Sequence, residues 1–480
     1  MKPQSESHLQ PWNFFNKSSS QISPIWFAVF LLVVSSEVIE SQFLVKTLPG
    51  FLGELPFTLE TGQQCALSYI GVGESDDVQL FYYFIESEGN PKDDPLMLWL
   101  TGGPGCSGLS SLLYEIGPLS IDYANSTLTK TVLKINPFSW TKAASIIFVD
   151  QPAGTGYSYA KTPEAYITND TLSTMQAYQF LRKWLVDHPK FLNNPLYVAG
   201  DSYSGIVLPM IVQEIYDGNE VGEGPKINIK GYILGNPTTD ESSDYNSRFP
   251  YAHRMALLSD AIYKVFLQST KENCHGEYLN VDPDNSLCIN DLQVVAECLG
   301  RIYLGNILEP SCEIPQLQIQ WCRDGTYLYS STWANSRDVR EALHIHEELN
   351  NIEWVRCNQT LYFHFGAEPI AYTHNVLSVV GYHQRLADKN CRALVYSGDH
   401  DMVVPYISTL NWIESLNLSV DKDWRPWFVN DQVAGYTMKF SKNEYRLTYA
   451  TIKGGGHTAA EYKPEECFNM LTRWLANNPL

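Results

Sequence analysis

The sequence predicts an α/β architecture, a mainly parallel central sheet covered on both faces with a helical, cysteine-rich cap inserted into it. Three observations carry this. Strand-like and helix-like segments alternate from about residue 79 to Gly235, the signature of a parallel sheet built from βαβ units. The rhythm breaks from about Asp240 to about Arg323, where helical-looking chain holds Cys274, Cys288, Cys298, Cys312 and Cys322. Alternation then resumes to the C-terminus. The expected organisation is a signal region over 1–41, a first part of the core over 42–239, a cap over 240–323 and a second part of the core over 324–480.

The elements follow in order. Gln79 to Ile85 and Leu96 to Leu100 read as strands joined by the turn-rich Glu88-Gly89-Asn90-Pro91. The second runs into Thr101-Gly102-Gly103-Pro104-Gly105-Cys106. Glycines at the carboxyl end of a buried strand let backbone N–H groups approach a ligand, although a plain turn has the same composition. No Lys-Ser/Thr follows, so a phosphate loop is excluded. Ser145 to Asp150 is a further buried strand. Leu172, Met175, Tyr178, Leu181 and Leu185 mark one face of a helix stopped by His188-Pro189. Leu196 to Ala199 is a strand that enters a small-residue turn with Ser202 at its tip, and Ile206, Val207, Met210, Ile211 and Ile215 continue at helical spacing. Ile229 to Gly235, Ala393 to Ser397 and Arg446 to Ile452 are later strands. A last helix opens with Pro464-Glu465-Glu466 and carries Phe468, Leu471 and Leu475.

Composition narrows the function. The chain has 480 residues, with Lys+Arg 33 against Asp+Glu 53 for a net charge of −20, so a cationic face for nucleic acid or anionic membrane is not expected. Ile25 to Val34 is an apolar run too short to span a bilayer, preceded by a polar segment with Lys2 and Lys17, and reads as a cleaved secretory signal, with a signal anchor as the alternative. In an oxidising compartment the crowded cysteines read as loop-stapling disulfides of unassigned connectivity. Zinc is the rival, but C-x-x-C pairs are absent. Sequons at Asn125, Asn169, Asn358 and Asn417 suit the same compartment.

A strand, a tight turn bearing serine and a helix make a nucleophile elbow, with Ser204 standing at the second glycine position of G-x-S-x-G. An α/β-hydrolase triad runs serine, acid, histidine, the last two on loops after late strands. Ser397-Gly398-Asp399-His400-Asp401 and Gly454-Gly455-Gly456-His457 occupy those places. Asp399 is the expected acid. Asp401, two residues on, is a rival that spacing alone does not exclude. His344 and His346 are two apart and point away from each other on a helix, which is no metal pair. Trp424-Arg425-Pro426-Trp427 has few basic neighbours and reads as a packed hairpin or pocket wall.

The chain closely resembles the plant serine carboxypeptidase-like proteins, and among them the acyltransferase branch. The likeness spans LPGFLGELPFTLETG from Leu48, WLTGGPGCSG from Trp99, NPFSWTKAASIIFVDQPAGTGYSYA from Asn136, NPLYVAGDSYSG from Asn194, YSGDHDMVVP from Tyr396, WRPWFVNDQVAGYT from Trp424 and GGGHTAAEYKPEE from Gly454. The resemblance implies an α/β-hydrolase fold, a triad of Ser202, Asp399 and His457, and an oxyanion hole from the N–H groups of Gly103 and Tyr203. It also implies disulfides Cys106–Cys357, Cys274–Cys288 and Cys312–Cys322, no cofactor or metal, and residence in the vacuole, with an extracellular location as the alternative. True carboxypeptidases of the family carry Asn where this chain has Thr101 and Glu where it has Asp201, and those side chains, with Gly102 beside them, hold a peptide's terminal carboxylate. The Thr and Asp forms resemble the branch that passes an acyl group from a 1-O-β-glucose ester to an alcohol. Exopeptidase hydrolysis and a silent binding protein are the other classes. Gln63 to Ser68, with Cys65, interrupts a stretch that relatives carry unbroken, and the short Cys312–Cys322 segment argues against processing into two chains.

Overall fold

The computed structural model describes residues 44–62, 69–312, 322–346, 352–358, 360 and 372–480. The expected signal and the Gln63 to Ser68 stretch lie outside the described residues.

Ten strands form one sheet: β1 (Leu59–Thr61), β2 (Tyr82–Ile85), β3 (Leu96–Leu100), β4 (Ser145–Val149), β5 (Leu196–Asp201), β6 (Ile229–Gly235), β7 (Arg392–Gly398), β8 (Ser419–Val429), β9 (Gln432–Lys442) and β10 (Tyr445–Ile452). Their spatial order is β1-β2-β4-β3-β5-β6-β7-β10-β9-β8. The central run from β4 to β10 is parallel, and the outer strands on both sides pair antiparallel. Register places Val198 opposite Leu98 and Leu234 opposite Gly200.

Burial on both faces explains the near-continuous apolar strands. Leu98, Leu100, Val198, Tyr232 and Val395 point into one core. Their alternates Met97, Trp99, Ala199, Ile233 and Leu394 point into the other. The first core is roofed by α1 (Asp170–Asp187) and α2 (Ser204–Val221), and the second by the terminal helix Pro464–Leu475.

Two local expectations change. On α1, Leu172 and Met175 are 40% and 39% exposed, and the packed stripe is Ala177, Tyr178, Leu181, Trp184 and Leu185. Gln79 to Ile85 is not one strand. It divides at Phe81, whose N–H donates to Ser158 Oγ at 2.7 Å, so that Val78–Leu80 joins a separate small sheet.

Between β6 and β7 the chain builds the cap, with helices Asp260–Asn273 and Ser286–Leu299 joined by Cys274–Cys288 and a hairpin of Ile302–Tyr303 with Asn306–Pro310. Phe249, Phe266, Val295 and Ile307 make a small core of its own that reaches Met402. All three expected disulfides form. Cys298 takes no part in the stapling: it faces solvent and is unpaired. Cys106–Cys357 ties positions 251 apart in sequence. A staple of this kind is worth about 2–5 kcal/mol in secreted domains, so the reduced protein is expected to melt at lower temperature. An unchanged melting temperature in reductant would contradict that.

Candidate active site

Ser202 stands where β5 gives way to α2, with φ at +54°. Left-handed backbone at a non-glycine residue is strained and persists only when its surroundings hold it. Here they do. Ser202 N–H donates to Gly235 O at 2.9 Å, and its carbonyl accepts from Thr238 N at 2.9 Å and Gly205 N at 3.0 Å. Ser204, at the unorthodox position, donates its hydroxyl to Asp201 O at 2.7 Å and so closes the turn itself. Opposite, a Cβ on Gly102 would lie 2.4 Å from Ser202 Cβ, so only glycine lets the two loops meet.

His457 Nε2 lies 2.7 Å from Ser202 Oγ, and its Nδ1 lies 2.9 Å from Oδ2 of Asp401. The acid partner is therefore Asp401, not Asp399. Asp401 is fully buried and also accepts from Asn236 Nδ2 at 2.8 Å, Val403 N at 2.7 Å and Val404 N at 3.3 Å. Asp399 faces the other way: Gly454 N–H reaches Oδ1 at 2.7 Å and Lys453 Nζ reaches Oδ2 at 3.0 Å. It thus pins the loop that delivers His457 without touching the ring. A Cβ on Gly398 would lie 2.2 Å from Gly456 O, so the two loops meet backbone to backbone.

Burial disfavours charge on His457, but the Asp401 carboxylate, by its charge and its hydrogen bond, prevails and the imidazole is raised above its ordinary value. A general base must be neutral, so it is lost as pH falls through that raised value. Activity is expected to show an acid limb above the ordinary histidine value of about 6.5. A kcat/KM profile flat down to pH 5 would contradict this.

The N–H groups of Gly103 and Tyr203 have no acceptor among the described residues; Tyr203 directly follows the serine, and Gly103 follows Gly102, which packs against Ser202. Asp201 is buried beneath the turn, with Gly102 N donating to Oδ1 at 3.0 Å. Desolvation raises its carboxyl above the usual range, against the pull of His457. Thr101 Oγ1 is 2.8 Å from Ser111 Oγ, which donates to Glu115 Oε1 at 3.0 Å.

Three residues escaped the sequence reading. Asn236, with φ +44°, orients Asp401, and its Gly-Asn-Pro setting at a strand end was the available signal. Buried Glu115 has its carboxyl pushed well above the usual range, first by desolvation and then by the charges of Asp201 and Glu461. Arg356 lies 3.7 Å from the centre of the Tyr327 ring and donates to Ser110 Oγ at 2.9 Å. Nothing local marks the last two, because their partners are far away in sequence.

Comparison with known proteins gives a concordant picture. A serine carboxypeptidase family model matches residues 49–477. Serine carboxypeptidase-like 1 of Arabidopsis thaliana is 48% identical over 96% of this chain and 99% of its own length. Serine carboxypeptidase-like 2 of the same plant is 47% identical over 96% and 99%. Among solved structures, the Kex1(delta)p prohormone-processing carboxypeptidase of Saccharomyces cerevisiae is similar in fold, with a TM-score of 0.73 at 20% identity over 91% of this chain and 96% of that one.

Proposed function

Because the chain belongs to the serine carboxypeptidase family, we propose that it is a serine-dependent acyltransferase that moves an acyl group from a 1-O-β-glucose ester to an acceptor alcohol. Ser202 Oγ gives its proton to His457 Nε2 as it attacks the ester carbonyl, and Asp401 holds the imidazole in the tautomer that can accept it. The tetrahedral oxyanion is received by the N–H groups of Gly103 and Tyr203. His457 returns the proton to the departing glucose oxygen, leaving an acyl ester on Ser202. An acceptor hydroxyl then attacks by the same steps in reverse. Water competes, but well-oriented groups reach effective molarities of roughly 10⁵–10⁸ M, enough for a positioned alcohol to prevail.

One observation carries the choice of transfer over peptide hydrolysis. The Thr101 hydroxyl is engaged with Ser111 and Asp201 Oδ1 accepts from Gly102 N–H, and neither position carries the amide or the longer acid with which true carboxypeptidases of the family hold a peptide's terminal carboxylate. Carboxypeptidase activity is the second reading, supported by the buried Glu115 carboxyl, raised above its usual range, that ends the hydrogen-bond chain from Thr101 through Ser111. The test is product partitioning. A benzoyl glucose supplied with candidate alcohols is expected to yield new esters, and blocked dipeptides supplied in parallel to yield little free amino acid. Brisk release of C-terminal amino acids without ester transfer would favour the peptidase.

The same proposal places the protein in the secretory pathway, in the vacuole or outside the cell. Asn125 and Asn417 are exposed and suit glycans, whereas Asn169, which caps α1, and Asn358 are half-buried. No helix among the described residues is long and apolar enough to cross a membrane.

A further inference from the structure

Beneath the cap lies a cavity of about 700 Å³, within the roughly 300–1,000 Å³ of small-molecule sites. It shares a wall with the acid–base pair. Met402 and Val403 directly follow Asp401, and Gly305, another lining residue, accepts the His457 N–H through its carbonyl at 2.6 Å. The remaining walls are mainly apolar and aromatic, with Phe249, Tyr303, Leu292 and Val295 among them.

One cation, Arg248, and one anion, Asp324, line this mainly apolar space. Arg248 donates through Nε and Nη2 to Val403 O at 3.0 and 2.8 Å and lies over the Tyr245 ring at 4.8 Å. Among the described residues it makes no ion pair with a carboxylate. The anions nearest in effect, Asp401 and Asp244, are already committed: Asp401 to His457 and Asn236, Asp244 to Ser408 Oγ and Thr239 N. A desolvated guanidinium without a carboxylate favours an oxygen acceptor brought in by a ligand.

We propose that this cavity binds an aryl group whose phenolic or carboxylate oxygen faces Arg248, with the ring against Phe249, Tyr303 and Leu292. That the aryl group belongs to a substrate of Ser202, as acyl group or as acceptor, rests on the acyltransferase reading. The binding itself does not.

The test therefore begins with the full chain carrying Ser202→Ala, which cannot turn substrate over. Calorimetric titration with 4-hydroxyphenylpropionate is expected to show saturable binding. Adding Ala296→Trp, at an exposed helix position whose side chain lines the cavity, should weaken it at least tenfold. Adding Arg248→Met should weaken it at least fivefold while sparing cyclohexanol. Absence of binding, or binding indifferent to both changes, overturns the site. With Ser202 intact, Ala296→Trp should leave fluorophosphonate labelling unchanged. If it slows acylation by a phenylacyl glucose tenfold but not by acetyl glucose, the cavity holds the acyl group. If it slows only transfer to an aryl alcohol, the cavity holds the acceptor. Change in neither overturns the substrate role, while failure of Ser202 to label at all would instead overturn the acyltransferase reading.

Discussion

Ser202→Ala is expected to abolish fluorophosphonate labelling and lower ester turnover by about 10⁶-fold, the scale seen when the nucleophile of a serine triad is removed. The change is small in volume and the hydroxyl's partner is His457 Nε2, so the fold should survive, and an unaltered circular dichroism spectrum would show that it does. The strained turn is held by backbone hydrogen bonds that alanine keeps. Labelling that persisted in the variant would remove Ser202 from the chemistry.

Asp401→Asn is the second large effect, expected at about 10⁴-fold in kcat. An amide in that place presents N–H to His457 Nδ1, favouring the tautomer in which Nε2 carries the proton and cannot accept one from Ser202. Asp399→Asn serves as the contrast. It weakens a link to a largely exposed lysine and keeps an oxygen for Gly454 N–H, so a loss below about tenfold is expected. Equal losses for the two variants, or a greater loss at Asp399, would restore Asp399 as the acid.

The contrast also marks the limit of what the sequence discloses. Ser202 and His457 could be read because each occupies a place set by the fold, a strand end followed by small residues, and because glycines around both announce close backbone approach. The fold class was equally plain, since strands buried on both faces write themselves as apolar runs. Asp399 and Asp401 share one loop. Which carboxylate turns to the histidine depends on Asn236 and the N–H groups of Val403 and Val404, a preference that spacing does not contain. That Glu115 and Arg356 gather around Asp201 was hidden for a related reason. The three come from separate segments, and only the folded chain brings their charges together out of water. On α1 the five apolar positions fitted a helix, but the sheet chose a stripe rotated away from Leu172 and Met175.

The acyl-enzyme is the most direct test of the account. A purified sample mixed with a stoichiometric aryl-acyl glucose and acid-quenched within milliseconds to seconds should release close to one glucose per active site and carry the acyl mass on the peptide containing Ser202. Adding an acceptor alcohol should discharge that mass as a new ester, and Ser202→Ala should show neither step. Glucose release without any adduct on Ser202, or an adduct that only water can discharge whatever alcohol is supplied, would contradict it.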